Sequence, residues 1–145
     1  MRILIDADAC PVKDIAIDIA KEYELDVILF FDNAHIYEDD YAEVYILDKG
    51  KDSVDYFLLS KLQKGDIVIT QDYGLASLAL TKNALPINQN GVIFTNNNID
   101  SFLDRRFINA KARSMKIKVK GPSKRTLEQD NKFYNALISL IEDNL

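Results

Sequence analysis

The sequence predicts an α/β domain, with a mainly parallel sheet flanked by helices in three layers. Short apolar segments of strand length alternate with segments of helical spacing along most of the chain. The strand segments are continuous apolar runs such as Val27 to Phe31 rather than alternating ones, as expected for strands covered on both faces. Acidic residues recur where these strands end, as in Asp6-Ala7-Asp8.

The first strand is Arg2 to Ile5, and Pro11 opens a helix with Val12, Ile15, Ala16, Ile19, Ala20 and Tyr23 at helical spacing. Asp26 to Phe31 and Val44 to Leu47 read as the second and third strands, separated by an irregular acidic stretch, Asp32 to Asp40. Ser53 to Leu62 is helical, with Val54, Phe57, Leu58 and Leu62 on one face. After Lys64-Gly65-Asp66 come the strand Ile67 to Thr70, the apolar helix Leu75 to Thr81 and a strand predicted over Gly91 to Thr95. A helix from Ile99 to about Met115 runs into an exposed segment in which Gly121-Pro122 breaks regular structure. The last helix starts at Thr126, whose Thr-x-x-Gln spacing to Gln129 is a capping box. Its predicted buried stripe is Leu127, Phe133, Tyr134, Leu137, Ile138 and Ile141, which docks residues 126–144 on the body.

The 145 residues fit one domain, and 48% hydrophobic with 28% charged residues is an ordinary globular composition. The longest uninterrupted apolar run, Val27 to Phe31, is far short of the roughly 20 residues that cross a bilayer. The amino terminus reaches Asp6 too soon for a signal peptide, so a cytoplasmic protein without membrane contact is expected. One cysteine, Cys10, excludes an internal disulfide and suits a reducing compartment. One histidine, His35, excludes a multi-Cys/His zinc site, so any metal must be carboxylate-bound.

Net charge is −5, but it is unevenly spread. Residues 1–104 carry 8 Lys/Arg against 19 Asp/Glu, whereas residues 105–127 carry 9 basic residues and no acid. The run Arg105, Arg106, Lys111, Arg113, Lys116, Lys118, Lys120, Lys124 and Arg125 suits phosphate contact, and RNA is the partner it suggests. A solvated basic tail or a protein-binding surface is the alternative.

In open parallel sheets, sites form outside the carboxyl ends of the strands. Three places stand out: Asp6-Ala7-Asp8, Gly50-Lys51-Asp52-Ser53-Val54-Asp55, and Thr70-Gln71-Asp72-Tyr73-Gly74. Carboxylates gathered there repel one another unless a cation neutralises them. Mg²⁺ or Mn²⁺ suits such oxygen donors and promotes phosphate ester hydrolysis. Asp6, Asp8, Asp55 and Asp72 are the expected catalytic and metal-holding residues, with Asp52 as a further ligand. Each has a structural alternative: Asp8 as a helix cap, Asp52 or Asp55 in a helix first turn, Asp72 in a turn. Lys13, Lys51 and Thr70 are candidate phosphate contacts, Lys13 being equally readable as exposed. Cys10 reads better as a small buried thiol than as a nucleophile, since no histidine neighbours it in sequence. His35 reads as exposed, and most tyrosines and phenylalanines as core.

These motifs resemble the YaiI/YqxD family of bacterial proteins. The resemblance lies in Asp6-Ala7-Asp8-Ala9-Cys10-Pro11-Val12-Lys13, Gly50-Lys51-Asp52 with Asp55, Gly65 to Val68 with Thr70 to Leu75, and Gly121-Pro122 with Lys124-Arg125-Thr126. More distantly the pattern is similar to the PIN-like nuclease superfamily and its NYN branch, in which an aspartate ends the first strand and another follows a later strand. That resemblance implies a PIN-like, Rossmann-like domain with site positions Asp6, Lys51 to Asp55, and Asp72. This chain has Ser60 and Lys61 where the NYN branch carries a further acid.

The leading expectation is a metal-dependent ribonuclease. A haloacid-dehalogenase-like phosphatase is the first alternative, with Asp6 and Asp8 as nucleophile and acid and Thr70 on phosphate, although Pro11 opens a helix where that class needs a flap. A non-catalytic RNA-binding regulatory module is the second.

Overall fold

The computed structural model describes residues 1–32, 37–48, 53–116 and 124–145. Asp52, Lys51, Lys118, Lys120 and His35 therefore lie outside the described residues. Five strands form one sheet: β1 (Arg2–Asp6), β2 (Asp26–Asp32), β3 (Glu43–Leu47), β4 (Ile67–Ile69) and β5 (Leu85–Ile87). Their order is β3-β2-β1-β4-β5, and every pairing is parallel.

Alternation along β1 sorts the core into two sides. Ile3 and Ile5 face α1 (Lys13–Tyr23) and α5 (Leu127–Asn144), which supply Ala16, Ile19, Ala20, Phe133, Leu137 and Ile141. Leu4 points the other way, to α2 (Ser53–Lys61) and α3 (Tyr73–Thr81), where Leu58, Leu75 and Ala79 pack on Phe30 and Val68. The predicted helix–sheet–helix layering is thus present, with α4 (Ile99–Ser114) packed outside α3 through Ile99, Phe102 and Leu103.

The outer ends of the sheet are held by specific polar contacts. Asp66, buried at the foot of β4, accepts from Arg2 Nη2 at 2.6 Å, from the Arg2 backbone N–H at 3.1 Å and from the Gln63 N–H at 2.9 Å. It joins β1 to β4 at the amino-terminal edge, far from the acidic strand ends. Gly91, at φ +82°, allows α5 to close over the sheet, because a Cβ there would lie 2.6 Å from the Lys132 carbonyl oxygen.

Two sequence expectations change. The last strand is Leu85–Ile87, and of the predicted Gly91 to Thr95 only Ile93 bridges to Ile87, antiparallel. Asn88 is the cause: its side chain accepts from the N–H groups of Asn90 and Val92, folding the chain back so that Phe94 N–H donates to Pro86. In α5 the capping box between Thr126 and Gln129 is formed. The buried stripe, however, is Phe133, Leu137, Leu140 and Ile141; Leu127 and Tyr134 are exposed, since Leu127 sits in the first turn and Tyr134 points away from the sheet side.

No described helix is long and apolar enough to cross a membrane.

Candidate active site

The strand order reverses direction between β1 and β4: the chain winds outward to β2 and β3 on one side and to β5 on the other. Such a switch point leaves a crevice above the carboxyl ends of the two central strands. Here those ends deliver Asp6 from β1 and, just past β4, Thr70 and Asp72.

Asp6 sits where burial and neighbouring charge act together. Burial, and then the charges of Asp55, Asp72 and Asp8, push its carboxyl up to about 6, against a counteracting hydrogen bond from Thr70. That bond runs from Thr70 Oγ1 to Asp6 Oδ2 at 3.0 Å, and the buried hydroxyl also accepts from the Asp72 N–H at 3.0 Å. Thr70 is therefore committed to positioning Asp6 and Asp72 rather than to a phosphate.

Asp72 has two tasks at once. Its Oδ1 accepts from the N–H groups of Gly74 (2.8 Å) and Leu75 (3.2 Å), which caps α3. The same oxygen lies 3.6 Å from Arg106 Nη1 of α4. Gly74 makes room for both, since a Cβ on it would lie 3.1 Å from Asp72 Oδ1 and 3.2 Å from Arg106 Nη1. The turn reading and the site reading of Asp72 are compatible.

Asp8 stands on the turn between β1 and α1. Ala9 takes φ 54° there, a left-handed conformation unusual for a residue with a Cβ. Asp8 Oδ2 accepts from the Asp32 N–H at 2.9 Å, tying this turn to the end of β2. Gln71 Nε2 donates to the Ala9 carbonyl at 2.9 Å and ties it to the end of β4 as well.

Above these groups is a cleft of about 500 Å³ with Asp6, Asp8 and Asp72 on one side and Arg106, Asn109 and Arg113 of α4 on the other. A second cleft, about 230 Å³, shares Asp72 and Arg106 with the first and adds Asp55 of α2. An acidic floor thus meets a cationic wall. Among the described residues no three or more Asp, Glu, His or Cys side chains already form a metal-holding group. A small hard ion such as Mg²⁺ does not require one, because it commonly takes one or two carboxylates and completes its shell with water and substrate phosphate.

The other predicted contacts are dispersed. Lys13 Nζ donates to the Cys10 carbonyl at 3.0 Å and lies 5.9 Å from the Phe31 ring centre, so its charge is held on α1's own turn. Cys10 is buried, with its thiol pushed up by burial. Arg105 stacks over Phe102 at 5.2 Å, while Lys111, Lys116 and Lys124 are exposed. Arg125 is a structural clamp: it donates to Asp130 (2.6 Å), Asn90 (2.9 Å) and the Gln89 carbonyl (2.7 Å). Gln71, quoted within a motif but given no role, and Asn109, uncharged and outside any motif, escaped sequence reading. So did Tyr56, which is 70% exposed although most tyrosines and phenylalanines read as core, because it points away from the buried Leu58 face of α2.

A family model described as "Uncharacterized BCR, YaiI/YqxD family" matches residues 4–143. Among similar curated proteins, the UPF0178 protein of Natranaerobius thermophilus is 48% identical, covering 97% of this chain and 96% of its own. Those of Alkaliphilus oremlandii (46%; 100% and 94%) and Clostridium acetobutylicum (45%; 97% and 97%) are similar over comparable spans. No solved structure matches the chain.

Proposed function

The chain belongs to the YaiI/YqxD family, a membership that carries no activity with it, and from the site itself we propose a metal-dependent phosphodiester hydrolase acting on RNA. One observation carries the reading: Asp6, half-buried at the switch point, is pushed up to about 6 by partial burial and by Asp55, Asp72 and Asp8. Carboxylates kept in mutual repulsion weaken a fold, and a divalent cation relieves that repulsion. One or two of Asp6, Asp8, Asp55 and Asp72 would hold Mg²⁺ or Mn²⁺, with water and substrate phosphate completing the shell. Such an ion polarises a phosphoryl oxygen and acidifies bound water.

The chain's own residues do the rest. Thr70 orients Asp6, the α3 cap fixes Asp72, and Arg106 and Arg113 face them across the cleft, where a phosphate anion is attracted. An acid ending the first strand, Asp6, and one just past the fourth, Asp72, also support kinship with PIN-like nucleases. The phosphatase alternative is weakened by the Thr70 hydroxyl, which is used by Asp6 and Asp72, and by the passage from β1 through one short turn into α1.

The deciding experiment is cleavage of mixed RNA and DNA substrates in Mg²⁺, Mn²⁺ and chelator, with Asp6→Asn as control. Metal-dependent RNA cleavage that disappears in Asp6→Asn is expected. RNA binding without any cleavage would favour the regulatory module, and a phosphoryl group trapped on Asp6 would favour the phosphatase.

A further inference from the structure

Hydrolysis leaves one feature beside the acids unused. Tyr56 follows Asp55 on α2 and is 70% exposed, and Leu78 of α3 is 51% exposed. Its neighbour Phe57 is consumed by packing, edge-on to Phe30 and Tyr45. Tyr56 makes no ring contact among the described residues. Single exposed apolar residues are common and need no explanation. These two, however, line one cleft of about 230 Å³ together with Asp55, Asp72 and Arg106.

Asp72 and Arg106 also border the larger cleft above Asp6. A phosphate-attracting arginine therefore stands directly between the acid floor and an aromatic-aliphatic slot. A nucleotide presents the complementary pattern, an anion joined by a short linkage to a flat π-face. In a duplex that face is already covered by its neighbours; in a single strand it is free to stack on a tyrosine.

We propose that Tyr56 and Leu78 form a base slot for single-stranded RNA, holding one unstacked base beside the phosphate attracted by Arg106. The slot rests on the phosphodiester reading and names its substrate class. Leu78 supplies the apolar wall, Tyr56 the stacking face, and the salt-sensitive contact stays with the arginine.

The test uses the full chain and a short single-stranded oligoribonucleotide carrying one 2-aminopurine, titrated in chelator so that binding is read without cleavage. Wild type should quench the fluorescence on binding. Tyr56→Phe should retain the quench, while Tyr56→Ala should lose it and bind about tenfold more weakly, the scale of one base–aromatic stack. The salt dependence should be the same in all three, because the phosphate contacts are untouched. The same strand annealed to its complement should show no Tyr56-dependent quench. Equal quenching and affinity in wild type and Tyr56→Ala would overturn the slot, even if added Mn²⁺ then cleaves the strand and upholds hydrolysis. A Tyr56-dependent quench with no cleavage on adding Mn²⁺ would keep the slot and remove hydrolysis. An absence of binding to any RNA would overturn both.

Discussion

Thr70 and Asp6 meet across the β1–β4 seam, the threonine hydroxyl donating to Asp6 Oδ2 at 3.0 Å. It opposes the burial and the three neighbouring acids that push Asp6 up to about 6, from 3.8 in an unperturbed side chain. A raised carboxyl binds its proton more tightly in the folded state, so its contribution is most favourable below about pH 4 and is lost as pH rises to about 6. In chelator, Asp6→Asn should therefore stabilise the protein at pH 7.5 by up to about 3 kcal/mol, and by almost nothing at pH 4. Urea unfolding of both proteins at the two pH values checks this; parallel pH profiles would show that Asp6 is not strained.

The second prediction separates the two tasks of Asp72. Asp72→Asn keeps an oxygen for the Gly74 and Leu75 N–H groups, so its thermal midpoint should stay near wild type. Asp72→Ala loses the cap as well, at about 1 kcal/mol. Both should lose cleavage by about a hundredfold or more and lose stabilisation by Mn²⁺, if the charge holds the ion. Asp72→Asn with wild-type cleavage and an unchanged Mn²⁺ response would leave Asp72 as a cap alone.

Arginines of one basic run should behave differently. Arg106→Ala and Arg113→Ala should each reduce the logarithmic salt slope of single-stranded RNA binding by about 0.7 and leave stability nearly unchanged. Arg125→Ala should leave the slope alone and lower the thermal midpoint, because it strands Asp130 and frees the Gln89–Asn90 turn. A slope that responds to Arg125 instead would reverse these assignments.

Two glycines with similar φ form a controlled pair. Gly65, at +85°, has nothing within 4 Å of an added Cβ, so Gly65→Ala should cost about 1 kcal/mol of backbone strain. Gly91, at +82°, has the Lys132 carbonyl oxygen 2.6 Å away, so Gly91→Ala should cost clearly more and increase amide exchange in α5. Equal losses would mean that α5 yields freely.

Much of this was legible in the sequence where one local rule decides the outcome. The β-branched run Ile67-Val68-Ile69, entered through Gly65-Asp66, reads as a buried strand and is one, and the Thr126–Gln129 capping box starts α5 as its spacing says. Leu85-Pro86-Ile87 was not legible, because a proline within three residues argues against a strand; it fits here because β5 is the last strand of the sheet, where a missing N–H is tolerated and the Pro86 carbonyl still accepts from Phe94. In the site, Asp6, Asp8 and Asp72 were readable as strand-end acids, and the structure brings all three to one cleft. That Arg106 and Arg113 stand opposite them, while Arg125 and Lys13 are drawn into local bonds, depends on how α4 and α5 dock. One residue's charge carries no record of that.

The aromatic cluster under α4 sets a dimension that ions cannot. Tyr73, the residue after Asp72, lies 5.3 Å ring to ring from Phe102, and Phe94 packs on both. The distance between acid floor and arginine wall is thus gauged by rings packed edge-on and tilted rather than by the exposed Arg106–Asp72 pair. Salt that dissolves the pair leaves the gauge in place, so ionic strength alters how strongly an anion is drawn in without altering the width of the gap it enters.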